Sequence, residues 1–405
     1  MPRVALRGQT PSARVLSLDG GLSAFDRLSR YLDEDAARAA AAPAEAAALV
    51  VDDPGDAAGE AGAALRAAGA YARIEGSRLI ASGSRAAFAT AAAALHGGAR
   101  ALADEMLRAF DADRCRPPSV RLRGRSLDLG ERARVMGILN VTHDSFFDGG
   151  RYSGVDRARA RAEELVAQGA DIVDIGGQSY SSSNPRIDAD EERARVVPVI
   201  EALVRDGLGV ALSIDTFKSD VARAALDAGA DLINDCSGLS DANLAPTVAR
   251  YDAALVVMHL RGELNVRLPK YPYADALGEI VSELRELTGR AAAAGVAADS
   301  ILVDPGLEFG KEPATDLEIL EHFGDLRSLG YPILFASSRK RFIGRIFNRP
   351  AQDLLVPSLA TAALGIAAGA RVVRVHDVAE TTALARMLGV VARDNRLRQT
   401  FAAIG

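Results

Sequence analysis

The residues of this chain that could do chemistry stand at the ends of eight short apolar runs, the first of which begins at residue 135. Asn140 closes the first run, and polar residues close the later ones. These are Gln178 with Ser179, Asp215, Asn234 with Asp235, His259, Asp304, Arg339 with Lys340, and Arg374 with His376. Each alone has a structural explanation, because an aspartate can cap a helix and a polar side chain can satisfy loop backbone. Their recurrence at every run indicates a shared functional rim.

One part of this rim suits a flat heterocycle with alternating donors and acceptors. Its members are Asp215, Asn234, Asp304 and Lys340. Carboxylates accept hydrogen bonds from ring N–H groups, and a lysine donates to a ring oxygen or nitrogen. These four residues are therefore candidate ligands of a heterocyclic substrate.

The other part of the rim suits phosphate. Asn140, Arg374 and His376 offer donors to phosphate oxygens, and an asparagine oxygen can also bind a Mg²⁺ ion that has few protein ligands. Together the two parts predict a heterocycle that carries a phosphate leaving group.

The elements that must position this rim recur as βα units. Strands are predicted at 135–141, 171–175, 210–215, 231–235, 254–259, 301–304, 332–336 and 372–375, and helix-compatible stretches lie between and after them. Glycine-alanine pairs at 169–170, 229–230 and 369–370 precede three of the strands, as expected of a C-cap glycine that ends each helix. The pattern predicts an α/β fold, a (β/α)8 TIM barrel. A doubly wound open sheet is the alternative, disfavoured because no G-x-G-x-x-G follows the first strand.

Residues 1–116 predict a smaller N-terminal α+β domain, whose role the sequence does not indicate. Strands are expected at 14–18 and 47–51, a helix at 24–41, a hairpin at 70–82, and a long Ala-rich helix at 86–110 that is interrupted at Gly97-Gly98. Residues 117–134 are interpreted as a linker and lead-in, and 135–405 as the barrel.

Composition bounds the class of protein. The chain has 405 residues, 49% of them hydrophobic and 25% charged, with a net charge of -6 that disfavours a general nucleic-acid surface. Cys115 and Cys236 form no CxxC or Cys/His cluster, so neither a disulfide framework nor a zinc site is expected. No apolar run suits a signal peptide or a membrane span. We therefore expect a cytoplasmic protein without a membrane or nucleic-acid partner.

Seven ordered motifs resemble those of the dihydropteroate synthase family. They are MGILNVTHDSFFDGG, LSIDT, LINDCSG, VMH, DPGLEFGK, SSRKRFIG and RVHDV, between residue 135 and about residue 397. The resemblance implies a pterin-binding barrel that condenses 6-hydroxymethyl-7,8-dihydropterin pyrophosphate with p-aminobenzoate and releases pyrophosphate. It also implies a homodimer, and the N-terminal domain resembles the extension of longer family members.

The resemblance assigns roles motif by motif. Pterin would be held by Asp215, Asn234, Met258, Asp304, Lys340 and Arg374, and pyrophosphate by Asn140, Arg374 and His376. Asn140 would also bind Mg²⁺. Lys340, Arg374, His376 and Asp148 would be the catalytic set, with Asp148 stabilising the developing cation or closing over it.

The chain departs from the family pattern after the second strand. The family's GGESTRPG is replaced by a loop that begins Gly176-Gly177-Gln178, with Ser179, Tyr180 and Ser181 at arylamine positions. Arg186 lies five residues beyond Ser181; it either pairs with Asp148 when the loops close or only solvates the loop, and the sequence leaves both interpretations open. A smaller departure is His143, where the family usually has proline.

Two alternatives stay open. A pterin-dependent corrinoid methyltransferase would need the pterin residues but has no use for the anion site at Arg374 and His376. A noncatalytic or amine-switched pterin-binding paralogue would keep the pocket and change the second loop, as this chain has done.

Overall fold

The computed structural model describes residues 12–16, 47–115, 117–141, 151–180, 186–264 and 271–393. It divides the chain into two compact units. One comprises Met1–Arg116, Asp275–Ser282 and Glu321–Gly330, and the other comprises Pro117–Ala274, Glu283–Leu320 and Tyr331–Gly405. The first unit thus includes two segments that the sequence analysis placed in the barrel.

The first unit is built on a four-stranded antiparallel sheet in the order β1-β2-β4-β3. Its elements are β1 (Ser12–Val15), β2 (Ala47–Asp52), α1 (Ala58–Ala67), β3 (Tyr71–Glu75), β4 (Arg78–Gly83), α2 (Arg85–Ala94) and α3 (Gly97–Arg114). Apolar residues of the sheet and the three helices form one core, which includes Leu49, Leu79, Phe88 and Phe110. The expected α+β class is confirmed, while the helix predicted at 24–41 lies outside the described residues.

The long helix predicted at 86–110 is wrong as a single element. Leu95 and His96 are extended, and Gly97 has φ +56°, so the chain leaves α2 and starts α3 in a new direction. Glycine adopts that left-handed conformation without a Cβ penalty. Ser84 caps α2 by accepting from the Ala87 amide at 3.3 Å.

The second unit is a closed barrel of eight parallel strands, as predicted, and closure rules out the open-sheet alternative. Its strands are β7 (Arg134–Asn140), β8 (Ile172–Gly176), β9 (Ala211–Asp215), β10 (Leu232–Asp235), β11 (Ala254–Met258), β12 (Ile301–Asp304), β13 (Ile333–Phe335) and β14 (Ala370–Val375). Its helices are α4 (Arg151–Ala167), α5 (Ala189–Arg205), α6 (Ser219–Asp227), α7 (Leu244–Arg250), α8 (Ala276–Ala293), α9 (Pro313–Glu321), α10 (Arg341–Phe347), α11 (Leu355–Ala368) and α12 (Val378–Arg393). The first residues of α8 belong to the first unit. The short α10, which directly follows Lys340, was not predicted.

The segment 117–134, which was interpreted as a linker, contains a β-hairpin that packs against the barrel. It forms a hairpin of β5 (Ser119–Leu122) and β6 (Arg125–Asp128), whose Val120 and Leu122 are buried. These side chains join one apolar cluster with the inward residues at the start of the barrel strands, including Met136, Ile172 and Val372. The hairpin therefore closes the apolar end of the barrel, opposite the polar strand ends.

The repeated glycines lie in the turns between the end of a helix and the start of the next strand. Gly169, Gly229 and Gly369 have φ values of +100°, +110° and +122°. The space at two of them is also filled, since a Cβ at Gly169 would lie 2.7 Å from Thr382 and one at Gly229 would lie 2.9 Å from Val204. The repeat thus reflects a tight turn made three times.

No helix in the described part of the chain is both long and apolar enough to cross a membrane.

Candidate active site

Strand alternation brings the polar residues into the mouth of the barrel. Side chains two apart on a strand share a face, so inward positions follow each other in layers along parallel strands. In register, Asp174 pairs with Ser213 and Asn234 pairs with Asp215. The apolar layer lies below them, which leaves a polar layer at the C-terminal ends, where barrel enzymes place their sites.

Arg374 is the centre of this layer. Its Nε donates to Asp174 at 2.6 Å and its Nη2 donates to Asp215 at 2.7 Å. Asn234 Nδ2 also donates to Asp174, at 3.1 Å. Three predicted pterin residues therefore meet in one hydrogen-bonded network. Burial raises the pKa of Asp215 to about 7; the Arg374 guanidinium opposes that rise and the nearby Asp174 adds to it.

Asp304 and Lys340 form a second pair on the same pocket. Burial raises the pKa of Asp304 against the opposing charge of Lys340, and burial lowers the pKa of Lys340. Lys340 Nζ donates to the Leu307 carbonyl at 2.6 Å and lies 5.2 Å from the centre of the Phe309 ring. The charge of Arg374 acts on the pKa values of both Asp304 and Lys340, so the three groups lie close enough to interact electrostatically.

An apolar wall lies beside these polar groups. Met258, a predicted pterin contact, is 4% exposed and clusters with Phe217 and Cys236, and Phe309 packs against the same cluster. Tyr180 joins the wall, with its ring centre 6.0 Å from that of Phe217 and its hydroxyl donating to the Asp215 carbonyl at 3.0 Å. A flat ring could lie against this wall while its edge meets the carboxylates.

The anion corner is formed at the ends of β13 and β14. His376 is exposed, and Ser338 Oγ lies 3.1 Å from its Nδ1. Partial desolvation at the rim, helped by the nearby Arg374 guanidinium, lowers the pKa of His376 below its ordinary value. Arg339, which the rim pattern included, is instead a brace: its Nε and Nη2 donate to Asp377 at 2.9 and 2.6 Å, and its φ is +57°.

Asn140 is exposed at the end of β7, and its Oδ1 lies 3.4 Å from where a Cβ on Gly176 would be. Among the residues that the structure describes, no three His, Cys, Asp or Glu side chains are grouped as a metal site. A single neutral amide oxygen suits Mg²⁺, which keeps water ligands and is commonly held through substrate phosphates. The exposed Asn140 amide oxygen would therefore suit a magnesium ion that has few protein ligands.

His259 is a satisfied interior histidine. Its Nε2 lies 2.9 Å from Glu283 and its Nδ1 lies 2.9 Å from Lys311 Nζ, and it has no exposed surface. Burial, helped by the Lys311 charge, lowers the pKa of His259 to about 4. Burial also lowers the pKa of Lys311 to about 7. Lys311 Nζ further donates to the Gly306 carbonyl at 2.8 Å, so this cluster supports the loop after Asp304.

The second loop is placed in part. Ser179 and Tyr180 follow β8, and the Arg186 guanidinium lies 4.7 Å from the centre of the Phe217 ring, at the edge of the apolar wall. Asp148 and Ser181 lie outside the described residues, so the predicted pairing of Arg186 with Asp148 stays a prediction.

The sequence analysis missed Asp174. Its carboxylate has no exposed surface and accepts from Ser213 Oγ at 2.5 Å as well as from Asn234 and Arg374. The sequence did contain a signal for it, because Asp174 lies in the middle of an apolar run. An aspartate in a buried parallel strand needs hydrogen-bond or ion-pair partners, since burying an unpaired carboxylate costs much free energy.

The fold and this site define a barrel with buried carboxylates and cations grouped at the C-terminal ends of its strands. The family model described as pterin binding enzyme matches residues 136–376. The dihydropteroate synthase of Bacillus subtilis (strain 168) is 42% identical over 264 residues, covering 65% of this chain and 90% of the relative. That of Clostridium beijerinckii is 37% identical over 276 residues, covering 68% of this chain and 100% of the relative.

Solved structures agree with these matches. A dihydropteroate synthase from Xanthomonas albilineans with 4-aminobenzoic acid is similar at a TM-score of 0.64 and 39% identity, over 69% of this chain and 99% of that chain. One from the same organism in complex with 7,8-dihydropteroate has a TM-score of 0.61 and 38% identity, over 68% and 100%. The chain belongs to the pterin-binding enzymes, as a member of the dihydropteroate synthase family.

Proposed function

We propose that this chain condenses 6-hydroxymethyl-7,8-dihydropterin pyrophosphate with p-aminobenzoate to give 7,8-dihydropteroate and pyrophosphate, a transferase step of folate biosynthesis. The observation that carries the proposal is the joining of the heterocycle residues and the anion residues through one side chain. Arg374 is hydrogen-bonded to Asp215 and acts electrostatically on Asp304, Lys340 and His376. A substrate with a ring and a pyrophosphate would need this arrangement.

The pterin ring would be recognised at its polar edge. Asp215, Asn234 and Asp304 are 6 to 8% exposed, so hydrogen bonds to them form in a nearly dry pocket, where they discriminate strongly between donors and acceptors. Lys340 supplies the complementary donor. Met258 and Phe309 offer apolar surface to the ring.

Bond cleavage would be assisted at the anion corner. As the C–O bond of the pterin methylene breaks, negative charge grows on the pyrophosphate, and preorganised donors stabilise it. In the described part of the chain, Nη1 of Arg374 has no hydrogen-bond partner, so it remains available to a phosphate oxygen. His376, exposed at the same corner, can donate a second hydrogen bond to the leaving group.

Asn140 would hold a magnesium ion, which would supply positive charge near the leaving group. This assignment is a proposal that rests on the exposed amide oxygen at the end of β7. Removal of Mg²⁺ with a chelator should lower turnover and the affinity for pyrophosphate, and Asn140→Ala should reduce the response to added Mg²⁺.

The arylamine needs position more than a base, because its nitrogen is already nucleophilic. Tyr180 and Phe217 form the wall nearest the second loop, and Arg186 lies over Phe217 at its outer edge. A guanidinium at that edge suits the carboxylate of p-aminobenzoate. Ser179 and Ser181 would complete this loop, and Asp148 would close over the developing cation.

Turnover and binding together test the proposal. Purified protein with pterin pyrophosphate, p-aminobenzoate and Mg²⁺ should release 7,8-dihydropteroate and pyrophosphate in equal amounts. Pterin binding without condensation would overturn the proposed reaction in favour of a noncatalytic paralogue. Condensation with another aniline but not with p-aminobenzoate would show that the second substrate has changed. Methyl transfer to a corrinoid protein would support the methyltransferase alternative.

A homodimer is proposed for the barrel, and apolar surface supports it. Val356 and Leu364 on α11 are 73% and 56% exposed, and Met387 and Val391 on α12 are 62% and 63% exposed. Large exposed apolar side chains grouped on neighbouring helices are typical of interaction surfaces. Light scattering should give twice the chain mass, and Met387→Glu should shift it towards one chain mass. A parent of single-chain mass at all concentrations would contradict the dimer.

We place the protein in the cytoplasm. Both Cys115 and Cys236 are free thiols in the structure, in keeping with a reducing compartment. Cell fractionation with a tagged full-length chain would test this location.

A further inference from the structure

Asp174 lies in the middle of β8 and is too deep to touch a substrate. Its side chain has no exposed surface, and its backbone pairs with Ser213 on β9 and Ile138 on β7. An ionised carboxylate in such a place persists only when partners replace the lost water. Asp174 has three such partners, on β9, β10 and β14.

The bond to Asn234 sets the direction of an amide. A carboxylate only accepts hydrogen bonds, so the Asn234 group that lies 3.1 Å from Asp174 must be its NH₂. The amide oxygen of Asn234 therefore points away from Asp174. Since Asn234 is 6% exposed at the barrel mouth, that oxygen is an acceptor presented to the pocket.

The bond to Arg374 sets the plane of a guanidinium. Nε is held by Asp174 at 2.6 Å and Nη2 by Asp215 at 2.7 Å. Because the guanidinium is planar, these two hydrogen bonds fix its orientation, and Nη1 lies on the edge away from the two carboxylates. One buried carboxylate thus orients an acceptor for the ring and a donor for the anion.

We propose that Asp174 is a positioning residue of the substrate site, which fixes the amide direction of Asn234 and the guanidinium plane of Arg374 without touching substrate. This inference rests on the proposed pterin pyrophosphate substrate. It separates the carboxylates of the pocket by role, since Asp215 and Asp304 face the ring and Asp174 faces only protein.

The test begins with Asp174→Leu, which keeps approximate side-chain size and removes both acceptor oxygens. The Asn234 amide and the Arg374 guanidinium then lose the group that orients them. Calorimetry should show affinity for 6-hydroxymethyl-7,8-dihydropterin pyrophosphate falling by at least about tenfold, the cost of one lost or misdirected buried hydrogen bond. Inorganic pyrophosphate should also bind more weakly, because Arg374 loses an anionic anchor.

Ser213→Ala is the matched control. It removes another hydrogen bond of the same carboxylate, the 2.5 Å contact from Ser213 Oγ, but changes no group that faces the pocket. Its pterin pyrophosphate affinity should stay within about threefold of the parent even if its melting temperature falls as far as that of Asp174→Leu. Equal losses of affinity in the two variants would show a merely structural role and overturn the proposal.

Asp174→Asn is the rescue variant. Its amide oxygen can take the place of Oδ2 and accept from Asn234 and Arg374, while its NH₂ faces Ser213 Oγ, a hydroxyl that also accepts. Pterin affinity should therefore recover relative to Asp174→Leu. A folded Asp174→Asn with no recovery would overturn the proposal, and so would unchanged affinity in Asp174→Leu. If Asp174→Leu does not fold, Asp174→Ala takes its place, with the same expected losses. A parent that fails to bind pterin pyrophosphate would instead refute the proposed function.

Discussion

Arg374 Nη2 lies 2.7 Å from Asp215 Oδ2, so the main cation and a main acceptor of the pocket are bonded to each other. The pair joins the ring site to the anion corner. Removal of the arginine would therefore take away the proposed donor to the leaving group and would leave Asp215 in a buried site without its cation.

Arg374→Ala and Lys340→Ala should each lower turnover at least about 100-fold, on the order of 3 kcal/mol, because each removes a half-buried cation from the proposed charge-handling site. Steady-state assays on variants with unchanged circular dichroism measure this. Arg345→Ala, which removes an exposed cation from α10, is the control and should match the parent. Turnover within threefold of the parent in either test variant would refute the assignment.

His259 should make the protein sensitive to acid. Its pKa is about 4 in the fold and about 6.5 when unfolded, so its contribution is present above pH 6.5 and is lost as the pH falls towards 4. The loss is on the order of 3 kcal/mol for a group without exposed surface. Thermal unfolding should be measured at about pH 7 and about pH 4.5. The decrease in melting temperature between the two pH values should be smaller in His259→Gln than in the parent. His96→Gln removes an exposed histidine and should show the same decrease in melting temperature as the parent. An equal decrease in all three proteins would refute the prediction.

A chain that begins at Ser119 should keep pterin affinity but lose stability. It retains every recognised site residue, yet the first unit includes Asp275–Ser282 and Glu321–Gly330, which would lose partners. Arg14, for example, bonds Asp275 at 2.5 Å, and Asp113 bonds Arg327 at 2.9 Å. The melting temperature should fall by about 5 °C or more. An unchanged melting temperature would contradict the expected stability loss, and a folded truncation without pterin affinity would mean that residues before 119 contribute to the site.

Glu308 has a strained backbone conformation, and its side chain caps the N-terminus of α10. Its φ is +68°, a conformation that favours glycine, and its Oε1 accepts from the Phe342 amide at 2.6 Å, next to Lys340. Glu308→Ala should lower the unfolding free energy by about 1 kcal/mol through loss of the cap, while Glu308→Gly should be less destabilised because glycine relieves the strain. Chemical denaturation measures both, and an alanine variant more stable than the glycine variant would be the contrary result.

Arg186→Ala should raise the KM for the arylamine about two- to fivefold, the range expected from loss of one cation–π contact and a charge at the site edge. Pterin pyrophosphate affinity should not change, because Arg186 contacts Phe217 and none of the ring acceptors. Arg193→Ala, on the outer part of α5, serves as the matched control. Equal arylamine kinetics in parent and Arg186→Ala would end the idea that this arginine serves the second substrate.

Much of the barrel was determined by local pattern. Apolar runs with polar ends, separated by helix-compatible stretches, predicted all eight strands and their order, because buried parallel strands demand continuous apolar sequence and the connections between them demand helices. The same pattern placed Asp215, Asn234, Asp304, Lys340 and Arg374 on one rim. That inference needs only the direction of the strands, which is common to every unit of such a barrel.

Tertiary structure alone decided which of these residues touch. The bonds from Asp174 to Asn234 and Arg374 span 60 and 200 residues, and no spacing rule relates positions so far apart. Asp174 was hidden inside an apolar strand, and Arg186 reaches Phe217 only because two loops meet. The segments 275–282 and 321–330 joined the first unit for the same reason. The sequence pattern shows which face of a strand a residue lies on. Its hydrogen-bond and ion-pair partners depend on how the barrel closes, because a buried charge must meet an opposite charge or a hydrogen-bond donor or acceptor there.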